Sequence, residues 1–217
     1  MERSEFIAKH PQLFHMAADG SWPSIREHGL LSTRALVERY DPPSDVRRAI
    51  LEGVRRENYA LRREGMPDAT VRDQKPLKFL DRCLLPGVTE QDFLNELNNR
   101  VFFHVSEIRL ERLLNARSYR RHAHHILTLD TASFLDAHEH VDLVPYNSGS
   151  VHVPNMPPRG PALFTRLEDY PWSVWRAKRG EDNAIVELTV SDRANVAGSV
   201  VRVERVENAA RETIYSK

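Results

Sequence analysis

The apolar residues of this sequence fall in short runs bounded by turn and cap signals. The clearest are 101–105 (VFFHV), 125–130 (HILTLD), 184–190 (AIVELTV) and 199–206 (SVVRVERV). Runs of this length, rich in β-branched and aromatic residues, predict strands rather than helices. A further strand is predicted at 141–144, and the piece Leu13-Phe14-His15-Met16 before the turn Asp19-Gly20 supplies the first one.

Between these runs lie helix signals. Ser21 is placed to cap a helix with Pro23 in its first turn and Gly29 at its end, and Ser32 opens the next. After the break Asp41-Pro42-Pro43, a long helix is expected over 44–63, with Val46, Ile50, Val54 and Leu61 on one side. Another helix is expected near 77–84. Thr89, Ser106 and Thr131 read as caps of three more. Helices gather in the N-terminal half and strands in the C-terminal half. The expectation is therefore α+β, a single domain over 1–217.

Composition narrows the class. At 217 residues and 41% hydrophobic, the chain is neither disordered nor collagen-like. No apolar run approaches the roughly 18 residues of a membrane span. The start MERSEFIAKHPQ carries two acids and no apolar signal core, so a cytoplasmic protein is expected. A single cysteine, Cys83, excludes an intrachain disulfide and a multi-cysteine zinc site. The 31 basic and 31 acidic residues cancel, yet 26 of the basic ones are Arg. Between Arg100 and His125 there are six Arg against two Glu. A basic face for nucleic acid is expected there if anywhere.

Several chemistries lack their signatures. Six histidines lie between His122 and His152, but none shows HExxH spacing, so no metal is expected. No GxSxG elbow, GxGxxG or P-loop is present, and Cys83 in FLDRCLL reads as a small buried hydrophobe. What remains is His15 on the first strand and Glu187 inside IVELTV. A carboxylate in an apolar strand costs several kcal/mol to bury unless it is paired or faces a cleft, the alternative being an outward face. The loop 145–161 carries five Pro, two Gly and the run Asn147-Ser148-Gly149-Ser150, whose backbone N–H groups suit an anion. It reads either as ordinary loop chemistry or as a lid.

The opening LFHMAADGSWPSIREHGLLS resembles that of ADP-ribosyltransferase-like folds of two kinds. One is the DarT family, which modifies DNA bases; the other is the KptA-type RNA 2′-phosphotransferase. The later stretch RVFFHVS, from Arg100 to Ser106, resembles the second strand of the KptA type, and with Arg109 after it loosely resembles DarT. Met16-Ala17 stands where the KptA type has Gly-Thr. The resemblance implies a split β-sheet core and NAD as a substrate, with no metal. It makes His15, Ser21, Arg100 and His104 cofactor-binding residues, and Glu187 and Arg109 catalytic ones. Arg109, with Arg100 as its rival, would contact the pyrophosphate or act at the reacting centre. The acceptor would be a nucleic-acid base or RNA end, its phosphates held by Arg117, Arg120 and Arg121 and its base stacked on Tyr119. Two other readings stay open: a non-catalytic nucleotide- or nucleic-acid-binding module on the same fold, and a hydrolase of N-glycosidic bonds.

Overall fold

The computed structural model describes all 217 residues. In chain order, the first elements are α1 (Arg3–Lys9), β1 (Gln12–Ala18), α2 (Trp22–His28), β2 (Leu30–Leu31), α3 (Thr33–Tyr40), α4 (Ser44–Leu51), β3 (Tyr59–Leu61) and β4 (Ala69–Val71). Next come α5 (Glu90–Asn98), β5 (Arg100–His104), α6 (Glu107–Leu114), β6 (His124–Asp130), α7 (Thr131–Asp136) and β7 (Asp142–Val144). The chain closes with β8 (Thr165–Arg166), α8 (Trp172–Arg179), α9 (Glu181–Ala184), β9 (Glu187–Ser191), β10 (Arg193–Ala194), β11 (Val200–Glu207) and β12 (Ala210–Ser216). The fold is α+β in a single domain. No helix is long and apolar enough to cross a membrane.

Eight strands form one antiparallel sheet in the order β12-β11-β6-β1-β5-β9-β7-β8. Its two halves are joined weakly. β1 and β6 keep seven registered pairs, from Gln12↔Asp130 to Ala18↔His124, whereas β1 and β5 share only Phe14↔His104. Past that pair the strands part, and the imidazole of His15 takes over from the ladder. Its Nδ1–H donates to the carbonyl oxygen of Phe102 at 2.8 Å. A side chain thus satisfies a backbone acceptor that strand pairing leaves free.

Strand alternation sorts the core. Leu13, Val101, Phe103, Leu127, Leu188 and Val203 face a cluster of 24 buried residues completed by Phe6, Trp22, Ile25 and Phe134. On the opposite face, Phe14, Met16, Ile126 and Val206 pack under Leu110 and Leu114 of α6. On that same face of the other half, Val144 packs with Phe93, Leu94 and Leu97 of α5, with Val151 of the long loop and with Leu163 just after it. The two satellite clusters leave an opening between them, directly over the parting of β1 and β5.

Several local expectations change. The helix expected over 44–63 stops at Leu51; Gly53 follows at φ 78°, and 59–71 folds into the β3–β4 hairpin. Leu61 still meets Ile50, but across that hairpin. Around 77–84 there is only one 3₁₀ turn, Leu80–Arg82, so Cys83 is buried outside any helix. Ser21 does not cap α2: its hydroxyl donates backwards to the carbonyl of Ala18 at 2.6 Å. Ser106 precedes α6 without a side-chain cap bond, and Asp130, not Thr131, caps α7 through Ser133 N–H. Thr89 does cap α5, in a reciprocal box with Asp92, and Ser32 caps α3 through Ala35 N–H. Gly29 ends α2 at φ 75°, where a Cβ would lie 2.6 Å from the carbonyl oxygen of Ala194. Strand β12, which sequence patterning did not mark, pairs with β11 at the sheet edge.

Candidate functional site

Two cavities adjoin at the parting of the sheet. The first, of about 300 Å³, lies under α2, α3 and the β3–β4 hairpin and is lined by His15, Ser21, Ile25, Leu36, Tyr40 and Arg72 among others. The second, of about 520 Å³, lies between α6 and the long loop and is lined by His104, Arg109, Arg112, Tyr119, Ser148 and Glu187 among others. They share a wall of Thr33, Arg100 and Phe102. Both volumes lie in the range of ligand pockets, roughly 300–1,000 Å³.

Glu187 forms the floor of the second cavity. Register places it between His104 on β5 and Val144 on β7, and its side chain is 4% exposed. Its outward-facing alternative is therefore excluded. The backbone N–H and hydroxyl of Ser148 donate to Oε2 at 3.1 and 2.7 Å. The loop that reads as an anion cradle thus cradles the chain's own carboxylate. Burial nevertheless outweighs these bonds and lifts the Glu187 pKa to about 7, with Ser148, Arg159 and Arg109 pulling it down.

The loop itself is held by Arg159, 0% exposed. Its guanidinium donates to the carbonyls of Asn147 (3.2 Å), Ser150 (3.0 Å), Pro157 (2.5 Å) and Pro158 (3.4 Å). The segment is a stapled wall of the cavity. The sequence marks Ser148 only as part of the run 147–150 suited to an anion, without a site role, and gives no signal for Arg159 beyond the length and proline content of the loop.

Beside Glu187, His104 is half-buried and neutral. Its pKa falls to about 4, first through burial and then through the nearby His15 and Arg109, and its Nδ1 has no hydrogen-bond partner. In the first cavity, burial likewise takes His15 down to about 4, against the bond to Phe102. With Nδ1–H donating to Phe102, its Nε2 is left as an acceptor.

Residues 11–201 match the profile of a family described as a family of unknown function, DUF7002. The chain belongs to the DUF7002 family. No curated protein matches it.

In this DUF7002 chain the expected site residues divide into three groups. Glu187, His104 and Arg109 converge on the second cavity, and His15 and Ser21 on the first. Arg109 donates to Asn183 Oδ1 at 2.8 Å and to the carbonyl of Asp182 at 3.3 Å, which ties α6 to α9 beside Glu187. Arg100 does not fit a cofactor role. Its guanidinium pairs with Glu96, reaches Asp142 at 3.5 Å and stacks 4.0 Å from the ring centre of Phe164. A cation so neutralised anchors α5 to β7 rather than meeting a ligand.

The rim residues also divide. Arg117, Arg120 and Arg121 are exposed on the turn after α6 and pair with no acid. Tyr119 is half-buried, and its ring is engaged by two neighbours. The Arg72 guanidinium lies 5.4 Å from its centre, and His124 stands edge-on at 6.1 Å. It is a packing residue, not a free stacking surface for a base.

Proposed function

We propose that this DUF7002 protein is an ADP-ribosyltransferase-like enzyme that takes NAD as substrate and transfers to a nucleic-acid base or RNA end. The observation that carries the reading is Glu187, a buried carboxylate at the floor of one chamber of a two-chamber cleft. When the ribose C1′–N bond of NAD breaks, its electron pair leaves with neutral nicotinamide and positive charge grows on the ribose. A preorganised carboxylate stabilises that charge. The acceptor nucleophile then bonds to C1′ and gives up its proton. His15, on the other side of the parted strands, offers Nε2 to a ribose hydroxyl of the adenosine half. The unpaired Arg117, Arg120 and Arg121 suit the phosphates of the acceptor.

Calorimetric titration with NAD tests the reading. The wild-type protein is expected to bind, and His15→Ala to bind roughly tenfold more weakly, the effect of one lost hydrogen bond of about 1.4 kcal/mol. A wild-type protein that ignores NAD, or a variant that binds it equally well, refutes the proposal. For the acceptor, the double variant Arg120→Glu/Arg121→Glu is expected to weaken oligonucleotide binding and to flatten its salt dependence by about two units of slope. Filter binding across a salt series measures this; an unchanged slope removes the rim from the acceptor site.

A further inference from the structure

Arg72 makes no salt bridge and is held in place by neutral groups. Arg72 follows β4 and lines the first cavity beside His15, close enough that its charge helps depress the imidazole. It is half-buried, and desolvation lowers its own pKa against the raising effects of Tyr119 and Asp73. Its only side-chain hydrogen bond runs to a neutral group: a terminal N–H donates to Nδ1 of His124 at 3.1 Å. That bond fixes the imidazole as the tautomer whose Nε2–H donates to the carbonyl of Tyr119 at 3.0 Å. The Tyr119 ring completes the support from one side of the guanidinium.

Other arginines at the cleft are differently placed. Arg159 commits both terminal nitrogens to loop carbonyls, and Arg55 is held by the carbonyls of Ile50 and Arg72 and by Asn98 Oδ1. Arg100 is paired with acids. Arg72 alone among these combines a fixed orientation with four of its five N–H donors free of a protein acceptor. Asp73, the next residue, acts on Arg72 through its charge but makes no hydrogen bond to it, and a planar fork with free donors matches phosphate oxygens bidentately.

We propose that Arg72, oriented by His124 and Tyr119, is the phosphate-binding side chain of the cleft and holds the diphosphate of a nucleoside diphosphate-containing ligand. The assignment rests on reading the cleft as a nucleotide site, and it moves the diphosphate contact from Arg100 and Arg109 to the hairpin β3–β4. The base would then occupy the apolar first cavity, with the diphosphate beside the wall that the two chambers share.

The test compares ADP, inorganic pyrophosphate and adenosine by isothermal titration on the full chain. Wild type is expected to bind ADP more tightly than adenosine. Arg72→Gln should lose at least tenfold in affinity for ADP and pyrophosphate and less than twofold for adenosine. Equal losses for ADP and adenosine, or no loss for ADP, overturn the assignment. If Arg72→Gln fails to fold by circular dichroism, Arg72→Lys decides. It keeps the charge but not the fork, and should lose several-fold for ADP alone; wild-type affinity for ADP in this variant overturns the proposal. A wild-type protein that binds neither ADP nor adenosine instead refutes the nucleotide reading of the cleft itself.

Discussion

Replacing Glu187 with Gln is expected to cost about 10²–10³ in turnover of NAD while leaving its affinity within a few-fold. The amide keeps an acceptor for Ser148 but cannot meet the charge that grows on the ribose. The same substitution should stabilise the fold in alkaline solution. Glu187 titrates near 7 in the folded chain, against an ordinary value of 4.5. Its neutral form is thus the one the fold favours. The associated stability is fully present below the unfolded pKa and is lost as pH rises through 7. A glutamine does not titrate and loses nothing. Urea unfolding should therefore find the variant and wild type alike near pH 4 and the variant ahead by about 3 kcal/mol above pH 8. On the proposed activity, kcat/KM for NAD should climb with pH and level off above 7, since the proposal makes the carboxylate the active form. A stability gap that does not widen with pH, or a profile falling across this range, contradicts the role.

How far the sequence led to this group depends on what kind of signal each residue gives. Glu187 stood out because a carboxylate among Ile185, Val186, Leu188 and Val190 breaks a local rule, and such breaks need a reason that lies outside the strand. His15 was visible for the same cause, between Phe14 and Met16. The strands around them were legible because apolar runs with β-branched residues report their own burial. The helix over 44–63 was not. Its periodicity was genuine for 44–51, and Leu61 then continued the apolar pattern although it belongs to a hairpin strand. Only the backbone turn at Gly53 separates the two. β12 was silent because an edge strand with exposed Arg211, Glu212 and Thr213 shows no apolar face.

Arginines were the hardest to sort, and the reason is physical. Arg100, Arg109, Arg72 and Arg159 look alike in sequence, and their roles are set by partners 4 to 74 positions away or by carbonyls that carry no sequence signal. Arg100 sat in a suggestive strand, yet Glu96 and Asp142 neutralise it. Arg72 sat in an unremarkable hairpin, yet a histidine on β6 and a tyrosine from the following rim hold it in the cleft.

Arg159 carries the largest expected effect on stability. Arg159→Met roughly conserves volume but strips donors from four loop carbonyls, two of them flanking Ser148 at Asn147 and Ser150. Removing one side of a buried charged network of this kind costs about 3–5 kcal/mol. The damage should reach the chemistry by two routes. Ser148 loses its fixed place and with it the two hydrogen bonds that favour the Glu187 carboxylate. The positive charge of Arg159, which also favours that carboxylate, disappears. Both changes raise the pKa of Glu187, so the acid limb of the activity profile must move to higher pH. Hydrogen exchange should show the backbone of 145–161 opening, while the pairing of β1 with β6, which Arg159 does not touch, stays protected. A variant that loses stability with an unshifted profile would make Arg159 a structural staple alone. One that keeps both would leave the loop supported by something other than this guanidinium, and the account of how Glu187 is held would be wrong.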